Sequence, residues 1–305
     1  MVEWSLNDIM TEADRTAMTP KPRDAATLLV LRQSASPEAG AAGNSLEVFC
    51  VRRHARSAFL GGVVVFPGGK LDPADGDQPM RALCNGLHHR AASFAESREH
   101  ALALAACACR ESLEEAGLLP CQPPISAAEA AAMRAGLSDA GDDTENDDAA
   151  FPELVAAADV RLDTAALVPF ARWITPAGEG RRYDARFFMT ILPAGQRGRH
   201  DDHEAIASIW ASPSRLLDAY AAGDLFLAPP TIRCLTILSD CSDVDTALAR
   251  CADQSLEPVC PEFVAGDPPI LTLPGDPRHS VPERRVAGPT RFVMRDGLFV
   301  AEDPP

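Results

Sequence analysis

The segment Arg110-Glu111-Ser112-Leu113-Glu114-Glu115-Ala116-Gly117-Leu118 constrains this chain more than any other. It closes a stretch, 98–116, in which apolar and Ala residues run almost continuously to Cys109 before charges take over. That pattern predicts one strong helix, with Gly117 as its C-cap. On a helix Glu111, Glu114 and Glu115 stand at i, i+3 and i+4, so the three carboxylates share one face. Like charges packed in this way repel, and glutamates late in a helix oppose its dipole. As pure structure the pattern is unfavourable, and something positive should offset it. Arg110 is adjacent in sequence to Glu111 rather than at helical spacing from it. A divalent cation is the better candidate, since hard cations take carboxylate oxygens. The competing reading is an exposed acidic helix end.

The surroundings read as mixed strands and helices. Strands are predicted at 25–32, 46–53, 59–66, 165–174, 183–191 and 205–210, from apolar and β-branched runs bounded by turn residues. Ser126 and Glu129 form a capping-box pattern ahead of an Ala-rich helix, and Ser212-Pro213 starts another. Further helices are expected at 231–239 and 243–252, and a closing hairpin at 291–300 around Asp296-Gly297. Residues 72–97 read as loops and short helical pieces, 138–148 as a solvated acidic loop, and 256–290 as proline-rich with sparse regular structure. This organisation gives a core domain at 23–254, an N-terminal extension at 1–22 and a tail at 255–305.

Composition narrows the partners. There are 28 basic and 44 acidic residues, for a net charge of −16. That argues against general electrostatic binding to nucleic acid or anionic membranes, though an anionic substrate responds to local charge and bound metal instead. No apolar run has the length of a membrane span, and the opening MVEWSLNDIMTEADR lacks the apolar core of a secretory signal. Nine cysteines without a CxxC pair suggest reduced, mostly buried thiols rather than a zinc site or a disulfide framework. The expected compartment is the cytoplasm.

Phe66-Pro67-Gly68-Gly69, followed downstream by RESLEEAGL, resembles the signature of the Nudix hydrolases. Ser112 takes a position that is apolar in that family. The spacing also departs from the usual pattern, because Arg110 stands 41 residues after Gly69, leaving about 27 extra residues inside the motif. The family's early glutamate falls at Asp75 counting forward from Gly69, and at Leu102 counting back from Arg110. The interruption resembles a Nudix subfamily that includes peroxisomal coenzyme A diphosphatases. Trp173-Ile174-Thr175-Pro176, Arg182 to Phe188, Glu204 ahead of Trp210, and Leu227-Ala228-Pro229-Pro230-Thr231 fit the same subfamily.

The resemblance implies an α/β (α+β) fold, a Nudix-type α/β/α sandwich with a mixed central sheet, here carrying an inserted helical segment at about 76–97 and a proline-rich C-terminal extension. It implies a metal-dependent pyrophosphohydrolase, using Mg²⁺ or Mn²⁺ and cutting the diphosphate of coenzyme A or an acyl-coenzyme A. Glu111 and Glu115 would be the most direct metal ligands, with Glu114 as a third ligand or catalytic group and a backbone carbonyl near Gly69 completing the site. Arg110 would orient the glutamates through charge-assisted hydrogen bonds. Glu204, with Asp202 next in line, is the candidate for a further ligand or general base. Arg53, Arg56, Arg182 and Arg186 are the candidates for gripping phosphate, because arginine binds it bidentately. The competing readings are hydrolysis of another nucleotide, such as NADH, ADP-ribose or a dinucleoside polyphosphate, and a non-catalytic Nudix-like regulatory module that binds one. The expected partner is a small nucleotide-derived molecule, with a homodimer left open.

Overall fold

The computed structural model describes residues 20–34, 45–54, 62–138, 150–201, 205–266 and 268–305. Apolar, β-branched runs form the first strands, β1 (Arg23–Gln33) and β2 (Leu46–Arg53). The strand expected at 59–66 is reduced to β3 (Val64–Val65); residues 55–61 lie outside the described residues. Pro67, which has no N–H to give to a ladder, follows it, and β4 (Gly68–Lys70) resumes beyond.

A 3₁₀ turn at Pro73–Gly76 leads into the insert, which holds helix α1 (Gln78–Leu83) and a second 3₁₀ turn at Ala91–Phe94. Helix α2 (Arg98–Ala116) has the expected bounds. Ser97 caps its first turn, and Gly117 ends it with φ 60°, a left-handed conformation that glycine adopts at little cost. The chain continues through β5 (Cys121–Gln122), α3 (Ala127–Ser138), α4 (Ala150–Ala157) and β6 (Arg161–Leu162). Before α3, Ser126 and Glu129 exchange the hydrogen bonds of the capping box.

Strands β7 (Val168–Ile174), β8 (Tyr183–Ile191) and β9 (Ala205–Ala211) follow. Helices α5 (Pro213–Ala221), α6 (Pro229–Ser239) and α7 (Val244–Ala252) come next. Helix α6 starts two residues earlier than expected, because proline suits a first helical turn. The tail is more regular than its composition suggests. It forms a four-stranded antiparallel sheet of β10 (Glu262–Val264), β11 (Ile270–Thr272), β12 (Arg291–Arg295) and β13 (Leu298–Glu302). The β12–β13 turn is the expected one, with Asp296 at φ 50° and Gly297 at φ 80°.

The main sheet is mixed and centred on β1. Strand β8 pairs parallel with β1 over Arg23–Leu31 and Tyr183–Ile191. The other edge of β1 is shared, with β2 pairing at residues 31–33 and β4 at residues 25–27. Between the two, the Leu28 N–H donates to the Pro67 carbonyl at 2.9 Å. The sheet thus splits, and the Phe66–Gly69 turn is held in the split.

Alternate residues of β1 feed two cores, as expected of a strand buried on both faces. Leu28 and Val30 join Phe49, Phe188 and the underside of α2. Leu29 and Leu31 join Phe187, Met189, α6, α7 and the tail residues Leu271 and Phe292. The result is a three-layer α/β/α arrangement. The insert buries Met80 and Phe94 in the first core, and its Arg90 donates to the Cys251 and Gln254 carbonyls at the end of α7. The tail closes the second core, anchored by a Trp173–Val259 bridge and by Tyr220 against the Phe299 backbone. Among the described residues no helix is long and apolar enough to cross a membrane. All nine cysteines are free, and all but Cys260 are buried.

Candidate active site

The site is built where α2 crosses the split in the sheet. Arg110 is 2% exposed, and Asp75 grips it from the turn that leads into the insert. Its Nε and Nη2 each donate to one Asp75 oxygen at 2.9 Å, the bidentate geometry that suits guanidinium and carboxylate. Nη2 also donates to the Lys70 carbonyl at 3.1 Å. That leaves Nη1 facing the glutamates, at 3.2 Å from Glu111 Oε1 and 3.0 Å from Glu114 Oε2. Asp75 is itself locked, because its Oδ2 accepts from the Asp72 N–H at 2.9 Å and closes a capping box.

Glu115 is held separately. Its Oε2 accepts from the Gly68 N–H at 3.0 Å, and its Oε1 pairs with Arg53 Nη1 at 3.3 Å. The two glycines are steric requirements. A Cβ at Gly68 would lie 2.4 Å from the Ala26 carbonyl oxygen. A Cβ at Gly69 would lie 2.4 Å from Glu111 Oε1. Glycine lets the loop press on β1 from one side and on α2 from the other.

Four carboxylates, Asp75, Glu111, Glu114 and Glu115, therefore meet two guanidinium groups, Arg110 and Arg53. Burial raises the Glu111 carboxyl well above the ordinary range. Arg110 opposes that rise, while Glu114, Glu115 and Asp75 add to it. The surplus negative charge and the hard oxygen donors fit a divalent cation. Glu111, Glu114 and Glu115 on α2 are the candidates to hold one. Among the described residues no three His, Cys, Asp or Glu side chains are already arranged as a metal cluster.

The remaining expected residues fall elsewhere. Glu204, Asp202 and Arg56 lie outside the described residues. Arg182 donates to the carbonyls of Thr175, Pro176 and Pro20, which fixes the turn before β8. Arg186 is 1% exposed and directs its donors to Asp24, Asp184 and the Phe94 carbonyl. Neither is in a hydrogen bond or ion pair with the three glutamates among the described residues. Both are expected at the substrate; the structure instead engages Arg182 with loop carbonyls before β1 and β8, and Arg186 with partners on β1, β8 and the insert.

Two features were not assigned from sequence. Asp75 is the partner of Arg110, and its signal was the six-residue spacing from Gly69; Leu102 is only a packing residue of α2. The other is a strap, residues 193–201, that runs along the end of α2. Gln196 pairs its amide with the Leu119 N–H and carbonyl at 2.8 and 3.0 Å. The Arg199 N–H donates to the Ala116 carbonyl at 2.7 Å, and His200 bonds Ser208. The strap leads to Ala205, which pairs with Arg53 and so starts β9 beside the site.

The chain resembles known proteins of one family. The family model for the NUDT19 Nudix domain matches residues 87–238. An acyl-coenzyme A diphosphatase NUDT19 of Gallus gallus is 29% identical over 274 residues, covering 75% of this chain and 72% of that protein. The Homo sapiens protein of the same name is 28% identical over 264 residues, covering 74% and 70%. Among solved structures, a NUDIX hydrolase from Alicyclobacillus acidocaldarius matches with a TM-score of 0.60 and 29% identity, covering 76% of this chain and 97% of that one.

Proposed function

The chain belongs to the Nudix hydrolases, enzymes that open diphosphate bonds, and from that premise we propose that its substrate is coenzyme A or an acyl-coenzyme A, cut to 3′,5′-ADP and (acyl-)phosphopantetheine. The observation that carries catalysis, as against mere binding, is the braced carboxylate face of α2. A nucleotide-binding module has no need of three glutamates fixed by two arginines and a glycine turn. The substrate rests on the likeness to proteins named acyl-coenzyme A diphosphatase.

We assign Glu111, Glu114 and Glu115, with the Gly69 carbonyl, to hold Mg²⁺ or Mn²⁺. When bound, the ion neutralises diphosphate charge and acidifies a water. Arg110, itself fixed by Asp75, sets the spacing of Glu111 and Glu114. The Gly68 N–H orients Glu115. We assign Arg53, beside Glu115, to the substrate diphosphate, and keep Arg56 as a second candidate for that role. Glu204 remains the candidate general base, and Glu114 the alternative.

The test is product analysis by mass after incubation with Mg²⁺ or Mn²⁺ and a panel of coenzyme A, acyl-coenzyme A, NADH, ADP-ribose and dinucleoside polyphosphates. The expected products are 3′,5′-ADP and a phosphopantetheine species, lost in Glu114→Gln and Glu115→Gln. Cleavage of another panel member instead would overturn the substrate. No turnover with either metal would overturn catalysis in favour of a binding module.

A further inference from the structure

We propose that a cavity at the end of the catalytic helix is the acyl-chain site of this enzyme, taking the hydrocarbon of an acyl-pantetheine arm. The inference rests on the coenzyme A reading above and adds where the acyl group goes. The cavity has a volume of about 380 Å³, within the range of sites that hold small molecules. Its wall is largely apolar, with Pro120, Ile191, Pro193, Ala194 and Leu248 contributing. The one carboxylate in the wall, Asp163, is already engaged by Gln122 and by Asn85 from outside it. Asp163 Oδ2 accepts from Gln122 at 2.9 Å, and its Oδ1 accepts from Asn85 at 2.7 Å. What remains on offer is apolar surface, which suits hydrocarbon better than a charged ligand.

Two further observations point to an occupant that arrives from the active site. Ile191, in the wall, is 50% exposed, one of the few large apolar side chains left so uncovered among the described residues. Pro120 stands five residues beyond Glu115, and five residues span at most about 18 Å. A diphosphate seated on the α2 glutamates thus leaves the cavity within reach of a long flexible arm. The strap is continuous between the two places. Pro193 and Ala194 line the cavity, Gln196 clamps Leu119, and Arg199 holds the last turn of α2.

The test is calorimetric titration of the full chain with a series of S-acyl-pantetheines, acetyl to dodecanoyl, which lack the diphosphate and so report binding without turnover. Affinity should rise about three- to four-fold per added methylene until the cavity is filled, then level off. Ala194→Trp, which fills the cavity, and Ile191→Asp, which charges its wall at a half-exposed position, should each weaken octanoyl-pantetheine at least about ten-fold. Both should hydrolyse unacylated coenzyme A within about two-fold of wild type, which also shows that they fold. A flat series in wild type, or a series unchanged in both variants, overturns the proposal. So does free octanoate binding as tightly as its pantetheine thioester, which would make the occupant a fatty acid. If the variants alter octanoyl-pantetheine binding but the wild type cleaves no coenzyme A species, the acyl site stands and the substrate reading falls.

Discussion

Replacing Gly69 by alanine places a methyl group 2.4 and 2.5 Å from the two Glu111 oxygens and 2.6 Å from its carboxyl carbon. Ordinary contact begins at 3.4 Å, so the turn or the carboxylate must yield by about 1 Å. The carboxylate is not free to retreat, because Oε1 accepts from Arg110, and Arg110 is fixed at both ends of its fork by Asp75. Overpacking of this kind costs about 1–3 kcal/mol of stability, which a chain with two cores survives. Displacing a catalytic group by about 1 Å costs about 100-fold in rate, equivalent to about 2.7 kcal/mol of activation free energy. Gly69→Ala should therefore fold, melt somewhat lower and lose about two orders of magnitude in kcat/KM, with a raised Mg²⁺ requirement. Adding Glu111→Asp withdraws the carboxylate by one methylene and should restore part of the thermal stability. Gly180→Ala is the control, since nothing lies within 4 Å of its added methyl. The assay is steady-state hydrolysis across an Mg²⁺ titration, beside a thermal melt. A Gly69→Ala enzyme within about three-fold of wild type at every Mg²⁺ concentration would refute the contact between this turn and Glu111.

Asp75→Ala removes the bidentate partner of a guanidinium that is 3% exposed, and breaking a buried pair costs about 3–5 kcal/mol; urea denaturation should show that loss, and a loss under about 1 kcal/mol would count against the brace. Ser112 is fully buried and its hydroxyl has no partner among the described residues, so Ser112→Ala should stabilise the chain by about 1 kcal/mol in the same assay, activity unchanged. In the tail, burial pushes the Asp276 carboxyl up, but the hydrogen bonds and charge of Arg291, with hydrogen bonds from the Arg278 N–H and the Thr290 hydroxyl, together outweigh that and hold it below the ordinary range. A depressed carboxylate contributes stability above its unfolded pKa, about 4, and loses it as pH falls through the folded value. Acid titration monitored by tryptophan fluorescence should show this component in wild type and not in Asp276→Asn.

Local punctuation explains what could be read from sequence. Ser97 and Gly117 bound α2 by capping chemistry that acts within one turn, so both ends fell where expected. Strand β8 and the β12–β13 hairpin were visible for the same reason, as apolar runs closed by turn residues. The misses are long-range. Strands β10 and β11 have three residues each and exist through pairing with one another and with β12, which no local pattern encodes. Asp75 and Arg110 are 35 residues apart, and the helical insert between them hid their pairing. Arg186 read as a phosphate binder in a basic, aromatic run. Its partners come from three separate elements, and only the assembled sheet shows that it faces inward.

The parallel pairing of β1 with β8 sets the order in which this enzyme can be made. It joins Arg23 to Tyr183 and Leu31 to Ile191, so the two strands at the heart of the sheet are separated by about half of the chain. Pairing at such separation is slow, because the intervening loop must close before its contacts repay it. A ribosome must therefore deliver the chain as far as Ile191 before the central ladder is complete, with α2 and its glutamates already synthesised and waiting for the sheet they rest on. The diphosphate-cleaving site is thus a late product of folding. Chains interrupted before β8 should reach the cell's quality control as inactive, sticky fragments rather than as partly working enzyme.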